Sequence, residues 1–387
     1  MTSSATKPSR VSLFRSFLRL GFTAFGGPSM VAYMRTMAVE QKRWLDEESF
    51  RDGVALCQAI PGATAMQTAA YVGLRARGVS GALVTFVGFG LPAFILMLTF
   101  SAFYPSMHTV PAAASAFSGL QAIIVAIVAN ATVSFGKTAL KNWDTIVIAG
   151  VAAALFGIGI NPLLVIVAAA LFGLVLHKGQ HTAPLIGTAM PSLRTMKPLL
   201  LLSAFTAAVF VLLLLIHRQL FDLAVLMLRI DLFAFGGGFA AVPLMFHEIV
   251  QVRHWIDDQT FLNGIALGQI TPGPIIITAT FVGYMLYGLA GGLVATLAVF
   301  SPSFLMVIGV APYFDRLRAS PYFKSVTSAI LSSFVGLLLA VTVRFASQVP
   351  WDLPHILFSC IALVALLMKV DILWVVLIGT ALSIIVL

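Results

Sequence analysis

Charged side chains are scarce in this chain: they make up 10% of its 387 residues, where ordinary soluble domains carry about 25%. That scarcity excludes water as the main solvent, and no stretch is long or polar enough to form a separate soluble domain. Cysteine is almost absent. Cys57 and Cys360 lie far apart inside apolar runs and form no metal-ligand pattern, so both are expected to be free, buried thiols, with no metal and no cofactor. Also missing are a Walker-type Gly-Lys-Ser/Thr loop, a His-Glu-x-x-His pair and a recognisable Ser/His/Asp constellation. ATP hydrolysis and zinc-dependent proteolysis therefore lack support, and the expected chain is not an enzyme.

What the chain has is apolar surface: 60% of its residues are hydrophobic and the mean hydropathy is +1.02. A spanning helix needs about 20 mostly apolar residues. Thirteen apolar runs, bounded by charges, Pro or Gly, fall at 12–33, 50–72, 80–104, 112–136, 145–159, 162–176, 197–217, 221–247, 261–284, 290–311, 322–344, 353–368 and 371–387. The expected fold is all-α: a polytopic membrane protein of about thirteen transmembrane helices, with the short pairs 145–176 and 353–387 left open as broken or tilted. The first run follows Lys7 and Arg10 as a signal peptide would, but it recurs later as an internal element, so cleavage is not expected.

The formal charge of +9 does not point to nucleic acid, because the Lys and Arg residues sit singly or in pairs at the ends of apolar runs. Alternating thirteen helices puts sixteen of the 23 basic residues on the side of the N-terminus, and seven opposite: Arg35, Lys42, Arg43, Arg51, Arg218, Arg229 and Arg344. Positive residues stay in the cytoplasm, which predicts a cytoplasmic N-terminus and a periplasmic C-terminus.

The chain repeats itself. Leu18, Arg19, Phe25, Gly26 and Gly27 return 210 positions later as Leu228, Arg229, Phe235, Gly236 and Gly237; Trp44, Asp46, Gln58, Pro61 and Gly62 return as Trp255, Asp257, Gln269, Pro272 and Gly273. Thr68, Gly73, Gly78, Gly81 and Pro92 match Thr278, Gly283, Gly288, Gly291 and Pro302. Two units follow, 1–177 and 221–387, joined by a linker at 178–220 that carries one unpaired helix. Seven steps separate matching runs, and an odd count inverts the second copy. Inverted repeats with Gly/Pro-interrupted helices at matching places are the architecture of secondary transporters, whose site lies between the copies near midplane.

A Phe-Gly-Gly segment, a Trp-hydrophobic-Asp link and Gln-x-x-Pro-Gly, all duplicated, resemble the chromate transporter family over nearly the whole chain. The resemblance implies chromate export across the bacterial cytoplasmic membrane, with sulfate as the look-alike anion. Two departures stand out: Ala63 follows Pro61-Gly62 where copy two has Pro274, and Gly238 stands where copy one has Pro28. The rival readings are a sulfate or other oxyanion transporter, an anion channel and an intramembrane enzyme.

Candidate substrate-binding residues cluster at the breaks. Phe25, Gly26, Gly27 and Pro28, with Phe235, Gly236, Gly237 and Gly238, interrupt their helices and free backbone N–H groups for an anion; close helix packing is the alternative use of such glycines. Pro61 and Gly62, with Thr271, Pro272 and Gly273, form the second break, after Gln58 and Gln269, whose amides can donate either to an oxyanion or to carbonyls left unpaired by proline. Arg19 and Arg229 lie about 12 Å into their runs, placed to clamp a tetrahedral dianion or else to snorkel to the interface. Asp231, opposite Gly21 in the repeat, and Glu248 are the candidates for a coupling proton. Expected partners are chromate, protons as counter-ion, the lipid bilayer and a second copy in a homodimer.

Overall fold

The computed structural model describes residues 8–25, 27–107, 110–176 and 193–387; Gly26 and the linker segment 178–192 lie outside them. Among the described residues every regular element is a helix. Copy one runs α1 (Arg10–Thr23), α2 (Gly27–Arg35) continuing as a π-helix (Thr36–Gln41), α3 (Glu47–Ala59), α4 (Thr64–Met107), α5 (Pro111–Ala139), α6 (Trp143–Gly157) and α7 (Pro162–Leu176). After α8 (Leu193–Ile216) the pattern returns as α9 (Arg218–Phe233), α10 (Gly238–Met245) with its π-helix (Phe246–Val252), α11 (Asp258–Ile270) and α12 (Thr278–Val310). A short α13 (Phe314–Ala319), α14 (Pro321–Ala346), α15 (Leu353–Leu367) and α16 (Ile372–Val386) complete it.

Local chemistry explains the matching boundaries. The Asp of each Trp-x-Asp link is a helix N-cap: Asp46 accepts from Ser49 N–H at 2.7 Å and Asp257 from Thr260 N–H at 2.8 Å. Just beyond the C-cap of each π-helix stands a left-handed residue, Arg43 and His254, each with φ 51°. The copies fall out of step by one residue inside these π-helices, which hold six and seven residues. They return to step after the second break, where copy two opens with a 3₁₀ turn, Ile275–Ile277, whose longer rise covers the same distance with fewer residues.

α4 is two antiparallel arms that reverse at Arg77–Gly78, and α12 reverses likewise at Tyr287–Gly288. The arms touch backbone to backbone: a Cβ on Gly73 or Gly283 would lie 2.3 Å from the carbonyl oxygen of Gly81 or Gly291. Thr85 Oγ1 donates across the first hairpin to Ala69 O at 2.7 Å. Arg77 donates to Pro8 O at 2.6 Å and Arg75 to Ser49 Oγ at 3.1 Å. The starts of α1 and α3 therefore lie on one side, so α1 with α2, and α3 with the first arm of α4, enter and return on that side. In copy two the His217 and Tyr287 rings, 6.1 Å apart, mark the equivalent meeting.

The count of about thirteen crossings is not confirmed by these helices. Five helices among the described residues are long and apolar enough to cross a membrane, those containing the second arms of α4 and α12, together with α5, α8 and α14. The runs at 12–33, 50–72, 221–247 and 261–284 instead reverse at their Gly/Pro breaks, which hydropathy cannot register. The alternating assignment also separated Arg43 from Arg75, yet both line one cleft.

Equivalent helices of the two copies run antiparallel. Phe86 meets Phe300 and Phe304, with centroids 6.2 and 5.0 Å apart, while Leu98 reaches Gly292. Thr132 of α5 and its own equivalent, Thr342 of α14, face each other with hydroxyls 3.3 Å apart. The terminal helix pairs are exchanged: α6 and α7 pack on α14, α15 and α16 on α5. Ser325 donates to Gly173 O at 2.8 Å in the first of these contacts. Cys57 is buried as expected, but Cys360 is exposed on the outer face of α15.

Candidate functional site

The four helix breaks meet in the middle of the fold, joined by two reciprocal hydrogen bonds. Gly62 N–H, in the second break of copy one, donates to Ala234 O in the first break of copy two at 2.9 Å. Gly273 N–H donates to Ala24 O at 3.2 Å in the equivalent contact. These two amides are thus committed to the opposite copy rather than held out for an anion. The breaks begin α2, α4, α10 and the turn before α12, so four helix N-termini, each carrying the positive end of a helix dipole, start at this level. Thr271 is buried and donates back to Gly268 O at 2.9 Å.

The two junctions differ in chemistry. Around Gly62, Asp231 is fully buried and its Oδ2 accepts from Ser303 N–H at 2.8 Å. That N–H is released from the helix ladder beside Pro302, whose ring interrupts α12. Ser303 Oγ accepts from Ala63 N–H at 2.9 Å, and Gln67 Nε2 donates to Pro61 O at 2.5 Å. Around Gly273 the equivalent residues are Gly21, Ala93 and Ile277, which offer no polar side chain.

Arg229 and Glu248 come together beside the α6–α7 turn, in a small cleft that also involves Asn161 and Leu244. Glu248 is 6% exposed and lies between two guanidinium groups, Arg229 at 3.8 Å and Arg253 at 3.7 Å. Arg253 in turn stacks on Trp255, 5.3 Å from its centroid. Arg19, by contrast, sits on the exposed face of α1 in line with Arg15. α1 and α9 lie in opposite halves, so the structure does not gather the two arginines around one point.

The halves also differ in closure. α11 packs on α5 through a buried chain in which Gln121 Nε2 donates to Asn263 Oδ1 at 3.0 Å and Asn263 Nδ2 to Tyr104 Oη at 2.9 Å. α10 packs on α14 and α7. Among the described residues α3 and α2 make no comparably extensive contacts with α14 or α16; Asp52, the counterpart of Asn263, meets Arg318 of α13 at 3.3 Å in a half-exposed pair. Gln58 is exposed while Gln269 is largely covered, its Nε2 buried without a hydrogen-bond partner among the described residues. On the open side a cleft of about 610 Å³ is lined by Arg43, Trp44, Asp46, Ser49 and Arg75.

One constellation went unseen in the sequence: Ser118 Oγ, His355 and Asp352 stand in a row, with Ser118 2.8 Å from His355 Nε2 and Asp352 2.5 Å from His355 Nδ1. Asp352 is the N-cap of α15 and also accepts from His355 N–H. The equivalent residues in copy one, Asn142 and Thr145, form a capping box. The row is therefore a helix cap that ties α15 to α5, and Ser118 and His355, 237 residues apart, share no local motif.

The model of a family described as chromate transporter matches this sequence twice, over residues 11–174 and 221–384. An uncharacterized transporter of Methanocaldococcus jannaschii is 41% identical over 378 residues, covering 97% of this chain and 94% of the relative. A chromate transport protein of Cupriavidus metallidurans is 29% identical over 91% of this chain and 86% of its own length. One from Pseudomonas aeruginosa is 30% identical over 92% and 86%. No solved structure matches the chain.

Proposed function

The chain belongs to the chromate transporter family, and from that premise we propose that it exports chromate from the cytoplasm in exchange for protons, through the junctions where its broken helices meet. The observation that carries this reading is the reciprocal pair of hydrogen bonds from Gly62 and Gly273, which brings the breaks of both copies to one level. Substrate sites between copies, facing the positive ends of half-helices, suit an oxyanion. Gln269, with a buried and unpartnered amide N–H, is assigned as an anion donor, and Gln58 as its counterpart on the open side. Phe25 and Phe235 to Gly238 line the path, and the backbone of Gly27 and Pro28 opens α2 beside it.

The folded hairpins support one sidedness. Moving Arg35, Lys42, Arg43 and Arg51 to the side of the N-terminus, and Arg253 away from it, changes sixteen against seven into nineteen against four. The stronger bias supports a cytoplasmic N-terminus, and five long spans, with α6–α7 and α15–α16 each crossing twice, make an odd number that supports a C-terminus outside. The open side is then the cytoplasmic one, and the conformation is ready to load. Arg19 and Arg229 act in turn at the two ends of the path rather than together on one dianion, and exchange of the two packing arrangements between the copies alternates access.

Everted membrane vesicles turn export into uptake. Initial chromate uptake there is expected to saturate, to rise with an imposed pH gradient of the right sign and to fall when sulfate competes. A linear, gradient-independent flux would identify a channel instead.

A further inference from the structure

Among the described residues, the junction around Gly62 holds two buried oxygen atoms without a hydrogen-bond partner. Asp231 and Gln67 are both 0% exposed, and Asp231 Oδ1 and Gln67 Oε1 have no hydrogen-bond partner among the described residues. The orientation of the Gln67 amide is set by Pro61 O, which can only accept, so its NH₂ is committed there and its oxygen is left over. Asp231 Oδ2 is occupied by Ser303 N–H. The two side-chain heads border one space: a Cβ on Gly62 would lie 2.7 Å from Gln67 Nε2 and 3.2 Å from Asp231 Oδ2.

We propose that this space is the proton-coupling site: one proton binds Asp231, the resulting O–H is held by Gln67, and the second, apolar junction takes none. A proton converts one orphaned acceptor into a donor while the other remains to receive it, so a single small ion answers both atoms. A hard divalent cation takes about six oxygen ligands or more, beyond the two side-chain oxygens left unpartnered here. Ser303 is a positioning residue, fixing Oδ2 through its backbone and Ala63 through its hydroxyl. At the equivalent junction Gly21, Ala93 and Ile277 provide no titratable group, so one proton site serves the pair of copies.

Among the described residues no other charge competes at this level. α9 packs on α8, α10 and α12. α10 and α12 contain no Asp, Glu, Lys, Arg or His, and only Tyr284 and Tyr287 titrate on α12. α8 carries Arg194 and Lys197 at its start, and α4 carries Arg75 and Arg77 at its hairpin turn, with Tyr71 and Tyr104 on its arms. Of the charges on α9, Arg229 is engaged with Glu248, while Arg218 and Asp222 lie at its other end; His247 contacts Gln251 at 3.0 Å.

The proposal deepens the proton-coupled reading and rests on it, so its test has a readout that needs no chromate. Infrared spectra of the full chain in lipid, titrated in H₂O and D₂O, are expected to show a buried protonated-carboxyl band that Asp231→Asn removes and Gln67→Ile shifts. In proteoliposomes, Asp231→Asn is expected to lower pH-gradient-driven chromate accumulation at least about tenfold. A band that survives Asp231→Asn, or undiminished accumulation in that variant, overturns the proposal. Should Asp231→Asn fail to fold, Gln67→Ile, which installs the copy-two residue, decides alone: an unmoved band overturns the site and a shifted one supports it. If wild-type protein moves no chromate under any gradient, the substrate reading fails while the infrared band still decides the proton site. Sodium-driven accumulation without such a band overturns it as well.

Discussion

Replacing Gly62 by alanine is expected to abolish chromate transport and to lower the yield of folded protein. Its φ of +116° lies where side chains are rarely tolerated, and the new Cβ would stand 2.1 Å from Ser303 Oγ. Strain of that backbone kind costs on the order of 1–3 kcal/mol. The clash adds to it, because Ser303 is held from both sides by Ala63 and Asp231. Even protein that inserted would have its junction displaced, and a loss of about 1.4 kcal/mol of transition-state stabilisation is already a tenfold loss of rate. Gly150→Ala is the control: a Cβ added to that glycine would meet no atom within 4 Å, and its φ is ordinary, so uptake and yield should match wild type. Chromate uptake normalised to inserted protein measures both, and a fully active Gly62→Ala would remove the junction from the transport path.

The second large effect is expected from Arg229→Ala: loss of chromate resistance in a protein that still inserts. Arg229 shares the buried Glu248 with Arg253. Removing one guanidinium leaves the carboxylate one partner, so the fold is retained while the cleft loses a positive charge on the anion's route. Breaking a fully buried pair costs about 3–5 kcal/mol. Here the Arg229 side chain is 39% exposed, so screening reduces the stability cost well below that range. Arg229→Lys should restore part of the resistance, since a point charge replaces charge but not the two-pronged geometry. Growth on chromate, with membrane insertion checked by immunoblot, distinguishes the outcomes; normal resistance in Arg229→Ala would mean that the ion pair is purely structural.

Much of the architecture can be read from particular residues. The matched Phe-Gly-Gly and Pro-Gly positions locate the breaks, and the Trp-x-Asp links locate the caps at Asp46 and Asp257. Hydropathy failed at the breaks themselves: a run such as 12–33 is apolar throughout whether the chain continues or turns back, and only tertiary contacts such as Arg77 with Pro8 show the return. The paired arginines were legible as equivalents but not as neighbours, because sequence equivalence in an antiparallel pair of copies places them in opposite halves.

The polar junction was half legible. Asp231 stands out against Gly21, but Ser303 against Ala93 and Gln67 against Ile277 pass unnoticed when attention is on what the copies share. Each is a single polar residue in a long apolar run, a signal that by itself points equally to a local helix bond, as for Thr132 and Val128 O. Searching the aligned copies for positions that are polar in one and apolar in the other would have found all three.

Two introduced cysteines test most directly whether the path opens toward the cytoplasm in one half and is sealed in the other. With Cys360 replaced by serine and the buried Cys57 left in place, Gln58→Cys and Gln269→Cys are exposed in turn to a membrane-impermeant thiol reagent on each face. The account predicts rapid labelling of position 58 from the cytoplasmic face and slow labelling of position 269 from either face in the absence of substrate. Labelling of position 58 from the periplasmic face alone, or equal labelling of both positions, would contradict it.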